Sequence, residues 1–317
     1  MSKKKVFSSI EELDHSLKTY PQQSDYLAMY SSFFNGIVKD PRWMWVPIDD
    51  HLVHRGDGVF EAFKWVGGRP YLFDKHMDRL EFSCAKIELS LPWKRQEIES
   101  IVSQLKEEAH QEELLFRLYV SRGPGGFSPN PYTTIGSQLY IVATRLHKPS
   151  EEKYQKGVSL IKSQVPIKGG WLSQVKSCNY LPNVMMKKEA IDAGADYSVN
   201  FSEDGFLGEG ATENIVVFSK DRFLYFPSFQ KTLKGTTLVR LQELSDQLVK
   251  QGLIRGMREH LLSEQDLLEA REVFLVGTTI DVMPVVKFEN HPIGDGRVGS
   301  VAQAARQLLL EDQKVRS

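Results

Sequence analysis

The stretch QVKSCNYLPNVMMKKEA (Gln174–Ala190) places Lys176 in a short polar break between an extended segment and a helix. The helix is predicted over Leu181–Ala193, because Pro182 suits its first turn and Gly194 suits its end. A lysine in such a break is ordinarily a solvated surface group. Whether Lys176 has a chemical role therefore depends on what the rest of the chain places beside it.

The composition is that of an ordinary globular protein. The chain has 317 residues, of which 41% are hydrophobic and 26% are charged, and its formal net charge is −1. A length of this order favours two domains. Acidic and basic residues are mixed along the chain, which argues against nucleic acid and anionic membranes as partners, and no apolar run is long enough to span a bilayer. Cys84 and Cys178 are too few for a disulfide scaffold, which predicts a reducing, cytoplasmic location.

The order of strands and helices predicts an α+β fold. In the first half, the Gly58–Val66 strand turns back at a Gly-Gly pair, and a helix with Asp74 as its N-cap follows. In the second half, hairpin strands alternate with helices, which favours a curved or barrel-like sheet. The polar segment Leu146–Gly157 contains a proline and is the predicted linker. The boundary between domains of residues 1–147 and 148–317 is placed inside it.

One loop is longer than its strands require. The segment GPGGFSPNPYTTIG (Gly123–Gly136) joins two apolar strands, Leu114–Arg122 and Ser137–Arg145. A hairpin loop needs roughly two to five residues, and long loops rich in glycine and proline often carry function. We therefore expect this loop to have a function.

Two Gly-Thr-Thr breaks could hold an anion. Gly235, Thr236 and Thr237 begin a periodic helix, where free backbone N–H groups, two hydroxyls and the helix dipole attract negative charge. The second break, Gly277–Thr279, ends a strand that reads as buried. Either break alone is more often a simple cap, but together they suit a phosphate monoester. Arg79 could balance its charge; a solvated arginine on a helix face fits the pattern equally well.

Two acids precede an apolar strand in LGEGATEN (Leu207–Asn214). Glu209 lies between glycines and Glu213 begins the strand, and either could be an ordinary turn or cap residue. However, pyridoxal 5′-phosphate requires an amine that forms an imine, a partner for the pyridine nitrogen and an anchor for the phosphate. Lys176, Glu209 and the two Gly-Thr-Thr breaks together therefore predict a site for this cofactor.

Other chemistries lack a complete motif. GDGRVG (Gly294–Gly299) satisfies the dinucleotide fingerprint, but too little chain follows it for the next strand and its ribose-binding acid. His51 and His54 have no further ligands at metal-binding spacing, so no metal site is predicted. Cys178 has no histidine partner in its motif and is interpreted as a small buried filler.

The ordered motifs resemble those of the fold-type IV pyridoxal-phosphate enzymes, also called class IV aminotransferases. This group contains branched-chain aminotransferases, D-amino-acid aminotransferases and aminodeoxychorismate lyases. The resemblance covers most of the chain, through HRGDGVFEAF, HMDRL, VKSCNYLPNVMMKKEAIDAGAD, EGATENIVVF, LKGTTLVR and EVFLVGTTIDVMPVV. It implies a smaller α/β N-terminal domain and a larger C-terminal domain, with the cofactor between them. It also implies a homodimer whose active sites borrow a loop from the neighbouring subunit, for which Gly123–Tyr132 is the candidate.

The resemblance also implies roles for individual residues. Lys176 corresponds to the Schiff-base lysine, and Glu209 to the acid that faces the pyridine nitrogen. The residues implied for the phosphate are Arg79, Thr236, Thr237 and Thr278, with help from the backbone of Gly277. Arg117 matches the strand position where branched-chain enzymes keep an arginine for a substrate carboxylate, and a structural salt bridge is the alternative. The other residues implied on the substrate side are Thr278 and Thr279.

The implied activity is transfer of an amino group between an amino acid and a 2-oxo acid such as 2-oxoglutarate. The amino acid that the resemblance favours is a branched-chain or related L-substrate. GTTIDVMPV and RGDGVFEAF resemble the transaminase versions of these motifs. SRGPGGFSP instead resembles lyases that form 4-aminobenzoate and pyruvate, and that activity is the first alternative. D-amino-acid aminotransferases carry an Arg-x-His pair where this chain has SPNPY, which disfavours a D-specific enzyme. A non-enzymatic phosphate-binding protein is the remaining alternative, and it gives Lys176 no role.

Overall fold

The computed structural model describes residues 4–315, which form two β-sheets and the helices that pack against them. The α-helices are α1 (Ile10–Asp14), α2 (His51–Arg55), α3 (Phe73–Lys86), α4 (Arg95–Ala109), α5 (Glu151–Lys156), α6 (Leu181–Asp192), α7 (Thr236–Lys250), α8 (Glu264–Leu268) and α9 (Ser300–Val315). The predicted α+β class is confirmed. Among the described residues, none of the helices combines the length and apolarity needed to cross a membrane.

The first sheet has six strands in the order β2-β1-β6-β5-β3-β4. These strands are β1 (Tyr26–Ser31), β2 (Gly36–Val38), β3 (Gly58–Val66), β4 (Arg69–Pro70), β5 (Leu114–Ser121) and β6 (Gln138–Arg145). α3 and α4 pack against this sheet, and their side chains Leu80 and Ile98 share one buried cluster with Phe63 and Phe116. Alternate residues of β3 belong to that cluster, which leaves the other set free to line a site.

The second sheet has nine strands and curls into a half-barrel. Its strands are β7 (Val158–Lys162), β8 (Tyr197–Phe201), β9 (Leu207–Gly210), β10 (Asn214–Phe218), β11 (Phe223–Phe226), β12 (Gly256–Glu259), β13 (Glu272–Gly277), β14 (Asp281–Phe288) and β15 (His291–Pro292). Successive residues of β10 point to opposite faces, so Ile215 packs in one cluster and Val216 packs in another with α7 and α9. Cover on both faces explains why residues 215–218 of this strand are all apolar.

One local prediction is wrong, and the predicted linker contains a helix that was not predicted. The helix expected to start behind Asp74 begins at Phe73, and its N-cap is Leu72, whose φ of 57° is left-handed. The turn out of β4 determines that cap, so Asp74 lies in the first turn, where its charge still complements the helix dipole. The predicted linker Leu146–Gly157 contains α5, because two acids begin that helix, two lysines end it, and Gly157 stops it at a φ of 74°.

The change of sheet falls between Arg145 and Val158. The division of the chain into domains of residues 1–147 and 148–317 stays a prediction.

Candidate active site

A cavity of about 480 Å³ has walls from both sheets. The structure brings every predicted site residue to its lining: Arg79, Arg117, Lys176, Glu209, Thr236, Thr237, Gly277, Thr278 and Thr279. Positions spread over most of the sequence therefore share one space. Their chemical roles stay predictions, but their grouping is a property of the fold.

The segment that carries Lys176 is pinned to the first sheet although it follows β7 in the chain. The N–H of Phe60 donates to the Lys176 carbonyl, and the N–H of Cys178 donates to the Gly58 carbonyl, each at 2.9 Å. Lys176 also donates its own N–H to Oγ of Ser83 at 3.3 Å. These bonds extend the edge of β3 by a short antiparallel bridge. The backbone of Lys176 is thereby fixed between the two sheets.

The side chain of Lys176 is left available. Its Nζ lies 4.4 Å from the ring centroid of Phe60 and 5.9 Å from that of Tyr180. No carboxylate in the described part of the chain lies within 4 Å of it. Burial lowers the pKa of this amine to about 8, and the positive charge of Arg79 acts in the same direction. A larger share of Lys176 is therefore a neutral, nucleophilic amine near neutral pH than of an exposed lysine.

Glu209 lies on β9 and is fixed through two backbone hydrogen bonds. Its Oε2 accepts from the N–H of Leu233 at 3.0 Å, and its own N–H donates to Oδ1 of Asn200 at 3.0 Å. Burial raises the pKa of Glu209 to about 7, although Leu233 and the nearby lysines oppose that effect. This carboxyl group can therefore hold or release a proton near neutral pH.

The glycines on either side of Glu209 are needed because other groups approach the backbone closely. A Cβ at Gly208 would lie 2.2 Å from Oδ1 of Asn200, and a Cβ at Gly210 would lie 2.7 Å from Oε2 of Glu213. Glu213 is itself buried, and it accepts hydrogen bonds from the backbone and hydroxyl of Thr212. It is thus a turn carboxylate that also contributes to the cavity wall.

The first Gly-Thr-Thr break begins α7. Gly235 is the N-cap and makes no side-chain cap, so the first N–H groups of the helix are open to a ligand. A Cβ on Gly235 would lie 1.8 Å from Oδ1 of Asn214, whose Nδ2 donates to the Leu233 carbonyl at 2.9 Å. Asn214, whose role was not predicted from the sequence, therefore holds the segment that leads into α7.

The second break is the turn between β13 and β14, which pair Gly277 with Asp281. No hydrogen bond within residues 4–315 engages the hydroxyls of Thr237, Thr278 or Thr279. Hydroxyls left unpaired beside open helix N–H groups are suitable donors for phosphate oxygens. Together with the amine and carboxyl group already described, this set of donors fits pyridoxal 5′-phosphate.

Arg79 is not a solvated arginine, so that alternative is wrong. Its side chain is 9% exposed, and Nε and Nη2 donate to the two carboxylate oxygens of Glu61 at 2.8 and 2.7 Å. Its Nη1 donates to the Lys234 carbonyl at 3.1 Å. Burial alone would raise the pKa of Glu61, but Arg79 and His76 lower it to about 2. A permanently ionised Glu61 therefore holds the guanidinium rigidly at the cavity wall.

Arg117 is in no ion pair with any residue that the structure describes, so the structural salt bridge is also wrong. On β5 its Nη1 donates to Oγ1 of Thr144 at 3.0 Å, and no acidic side chain described in the structure lies within 4 Å. A cation that lines a cavity without a charge partner is available to a carboxylate ligand.

Several residues of the lining were not predicted from the sequence. Lys168 is half-buried beside the ring of Tyr180, and burial lowers the pKa of its amine while Glu209 opposes that shift. Tyr119 stacks on Phe60 with ring centroids 5.9 Å apart. Cys178, interpreted as a buried filler, lines the cavity and is partly exposed. An acid inside the apolar strand GVFEAF was the available signal for Glu61; none marked Lys168.

The long loop of residues 123–136 does not reach this cavity in the chain itself. It carries exposed apolar side chains instead, with Phe127 at 62%, Tyr132 at 89% and Ile135 at 70% exposure. Among the described residues, no three histidine, cysteine or acidic side chains are grouped as metal ligands.

Comparisons with known proteins agree with this geometry. The sequence model of the family described as amino-transferase class IV matches residues 58–288. The chain is 34% identical over 310 residues to the chloroplastic D-amino-acid transaminase of Arabidopsis thaliana, covering 98% of this chain and 82% of that protein. It is 26% identical to a putative branched-chain-amino-acid aminotransferase of Methanocaldococcus jannaschii, covering 88% and 95%. The solved branched-chain amino acid aminotransferase from Escherichia coli shares the fold, with a TM-score of 0.79, 23% identity and coverage of 90% and 93%.

Proposed function

This chain belongs to the class IV aminotransferase family, and we propose that it moves an amino group between an amino acid with an apolar side chain and 2-oxoglutarate. Class IV aminotransferases use pyridoxal 5′-phosphate, which is therefore its cofactor. The observation that carries the proposal is the grouping of the Lys176 amine, the Glu209 carboxyl group and unpaired threonine hydroxyls in one cavity.

One group of residues would bind the phosphate of the cofactor. The open N–H groups at the start of α7, including that of Thr236, the hydroxyls of Thr237 and Thr278, and the backbone of Gly277 would donate to the phosphate. The hydroxyl of Thr236 lies 3.2 Å from Nε2 of His76, so that contact already engages it. Arg79 adds a positive charge that Glu61 keeps in place. When bound, the cofactor supplies a ring that accepts electrons from the substrate α-carbon.

Lys176 is the proposed proton carrier. Its Nζ takes the proton from the α-carbon of the substrate and later returns one, as a general base and then a general acid. A pKa of about 8 suits both steps near neutral pH, because neither protonation state is strongly disfavoured. Phe60 and Tyr180 beside this amine exclude water from the proton transfer.

Glu209 is proposed to hold the ring nitrogen in its protonated form. A carboxylate at that atom stabilises positive charge on it and strengthens the electron-accepting character of the ring. The hydrogen bond from Leu233 keeps the carboxylate oriented.

The proposed substrate follows from the other residues that line the cavity. Phe60, Leu115 and Ile280 offer apolar contact for the side chain of the amino donor. The guanidinium of Arg117 donates to the neutral hydroxyl of Thr144 and is in no ion pair with the described residues, so it suits a second carboxylate, as in 2-oxoglutarate and glutamate. A D-amino acid is the second candidate donor, because the Arabidopsis relative that aligns with 98% of this chain is named a D-amino-acid transaminase.

One assay separates these activities. Purified protein with pyridoxal 5′-phosphate and 2-oxoglutarate is incubated with L-leucine, D-leucine, L-alanine or D-alanine, and the amount and chirality of glutamate are measured. Formation of L-glutamate with L-leucine supports the proposal, and D-glutamate from D-substrates supports the second candidate. Pyruvate from aminodeoxychorismate with no glutamate from any donor would refute both and favour the lyase.

We also propose a homodimer in the cytoplasm. A second copy would cover the exposed apolar side chains of residues 123–136, which agrees with a loop that serves the neighbouring active site. The free thiols of Cys84 and Cys178 support a reducing compartment. A fluorescent fusion that localises to plastids, as the name of the Arabidopsis relative indicates for that protein, would contradict the cytoplasmic assignment.

A further inference from the structure

A buried ion pair joins the two sheets beside the cavity. Nζ of Lys64 on β3 lies 2.5 Å from Oδ1 of Asp281 on β14, and their side chains are 3% and 9% exposed. The same carboxylate oxygen accepts a hydrogen bond from Nε2 of Gln313 on α9 at 2.9 Å. Three elements that are distant in sequence therefore meet at one carboxylate.

Both ends of this pair are continuous with the candidate active site. Phe60, Ala62 and Lys64 share one face of β3, and the first two line the cavity. Asp281 ends the turn that carries Thr278 and Thr279, and its φ of 51° is left-handed, a conformation that aspartate tolerates. The pair thus lies at the base of the second Gly-Thr-Thr corner.

Backbone contacts also hold the turn: the ladder of β13 and β14 pairs Gly277 with Asp281, and the N–H of Ile280 donates to the Gly277 carbonyl at 3.3 Å. The carbonyl of Ile280 accepts a hydrogen bond from the hydroxyl of Tyr154 at 3.0 Å, while the threonine hydroxyls make none within the described residues. The ring of Tyr71 lies 5.5 Å from Nζ of Lys64 and closes the far side of the pair. Because the pair is shielded from water, its geometry is held more strictly than that of an exposed pair.

We propose that Lys64 and Asp281, with Gln313, act as positioning residues that fix the Gly277–Asp281 turn at a set distance from β3. Neither side chain lines the cavity. The pair acts through the turn: it holds the hydroxyl of Thr278 where a ligand phosphate is bound and the neighbouring backbone where a substrate carboxylate enters. This role rests on the proposed function for the identity of those ligands.

The test compares two ways of removing the ion pair. One variant leaves a buried charge without its partner, and the other removes both charges. Lys64→Met leaves Asp281 unpaired in an apolar site and is expected to lower stability strongly. The double variant Lys64→Met with Asp281→Asn removes both charges. Asparagine at position 281 tolerates the left-handed conformation and can still accept the hydrogen bond from Gln313. Lys64→Arg keeps the charge and serves as the conservative variant.

The matched control is another ion pair that links helices from the two halves of the chain. Nζ of Lys75 on α3 and Oε1 of Glu243 on α7 are also 2.5 Å apart, but their side chains are 30% and 40% exposed. Lys75→Met with Glu243→Gln removes a contact of the same length, together with the ion pair of Glu243 with Arg240 on α7, and does not alter the Gly277–Asp281 turn.

Three kinds of measurement are made. The first is the dissociation constant for pyridoxal 5′-phosphate, and the second is the melting temperature of the cofactor-free protein together with amide hydrogen exchange at its residues 277–281. The third is the KM and kcat for 2-oxoglutarate, determined separately. For the double variant we expect cofactor binding about tenfold weaker, faster exchange in the turn and a larger effect on KM than on kcat. Lys64→Arg should recover most of the affinity, and the control pair should change it less than about threefold.

A folded double variant with wild-type cofactor affinity and wild-type exchange in the turn would overturn the positioning role. The same loss of affinity in the control pair would also overturn it, since the effect would then be one of general stability. Failure of the wild-type protein itself to bind the cofactor would instead refute the proposed function.

Discussion

The backbone N–H of Leu233 donates a hydrogen bond to Oε2 of Glu209, with 3.0 Å between the two atoms. The carbonyl of Lys234 accepts from Arg79 at 3.1 Å, and Gly235 is then the N-cap of α7. One short segment therefore contacts the carboxylate proposed for the ring nitrogen and the arginine proposed for the phosphate. The covalent structure of the cofactor fixes the distance between its ring nitrogen and its phosphate. This segment therefore determines whether the ring nitrogen and the phosphate can be bound at the same time.

Gly235→Ala tests that segment. A Cβ there would lie 1.8 Å from Oδ1 of Asn214, so Asn214 must move and release the Leu233 carbonyl. We expect about tenfold weaker binding of pyridoxal 5′-phosphate, measured by fluorescence titration. Gly169→Ala is the control, because a methyl group there would meet no atom within 4 Å and the φ of −72° suits alanine. Equal affinity of both variants for pyridoxal 5′-phosphate would show that this segment does not determine the geometry of the cofactor site.

Glu209→Gln should change how stability depends on pH. The folded-state pKa of about 7 lies above the ordinary glutamate value of 4.5, so between these values the folded state binds more protons than the unfolded state. The unfolding free energy of the wild type therefore falls as pH rises through this window, by up to about 3 kcal/mol from this group.

Glutamine does not ionise and still accepts from Leu233, so the cofactor-free variant should be the more stable protein at pH 8. Its advantage should shrink as the pH is lowered towards 5. Urea denaturation at both pH values measures the difference. Parallel pH dependence of the two proteins would mean that burial does not disfavour the ionised form of Glu209.

The helices and strands that the sequence predicts best are those whose apolar residues recur at a regular spacing. The strand Gly58–Val66 has the predicted bounds, because apolar spacing alone decides which side chains are buried. The cap at Leu72 could not be predicted, since its left-handed conformation comes from the turn before it. The short helix α5 had charge signals at both ends, and the proline and polar residues around it concealed them.

The candidate site divides in the same way. Lys176, Glu209 and the Gly-Thr-Thr breaks stand out in the sequence because glycine, charge and hydroxyl groups are unusual next to apolar strands. Contacts between distant parts of the chain leave no local pattern. Lys64 and Asp281 are separated by 217 residues, and only the packing of the two sheets brings them together.

Lys176→Ala should remove catalysis while the protein stays folded. The amine is not in an ion pair among the described residues, so its loss leaves no buried charge unpaired within 4 Å. We expect transamination to fall by about a hundredfold to ten-thousandfold, with loss of the absorbance band of lysine-bound cofactor. Lys168→Ala, which removes the neighbouring amine of the same cavity, should keep that band. Retention of the band in Lys176→Ala would assign the cofactor bond to another lysine.

The loop of residues 123–136 should control assembly. Replacing Phe127, Tyr132 and Ile135 by serine removes the exposed apolar surface of the loop without altering a side chain of the buried core. We expect the mass from light scattering to change from that of two 36.2 kDa chains to that of one. Serine at Val6 and Ile10, which are exposed elsewhere, is the control and should not alter the mass. An unchanged dimer in the triple variant would place the interface outside this loop.

Arg117→Met should separate substrates by their second carboxylate. The guanidinium has one neutral partner, the hydroxyl of Thr144, so methionine keeps most of its volume and leaves no carboxylate unpaired among the residues described. Loss of a charged hydrogen bond of this kind costs roughly 1.5–3 kcal/mol, which is about a tenfold to hundredfold increase in KM for 2-oxoglutarate. Pyruvate has no second carboxylate, and its KM should change little. Arg145→Met, on the same sheet but exposed, should leave both KM values unchanged. If the KM for pyruvate rises as much as that for 2-oxoglutarate, Arg117 binds the carboxylate common to both acceptors.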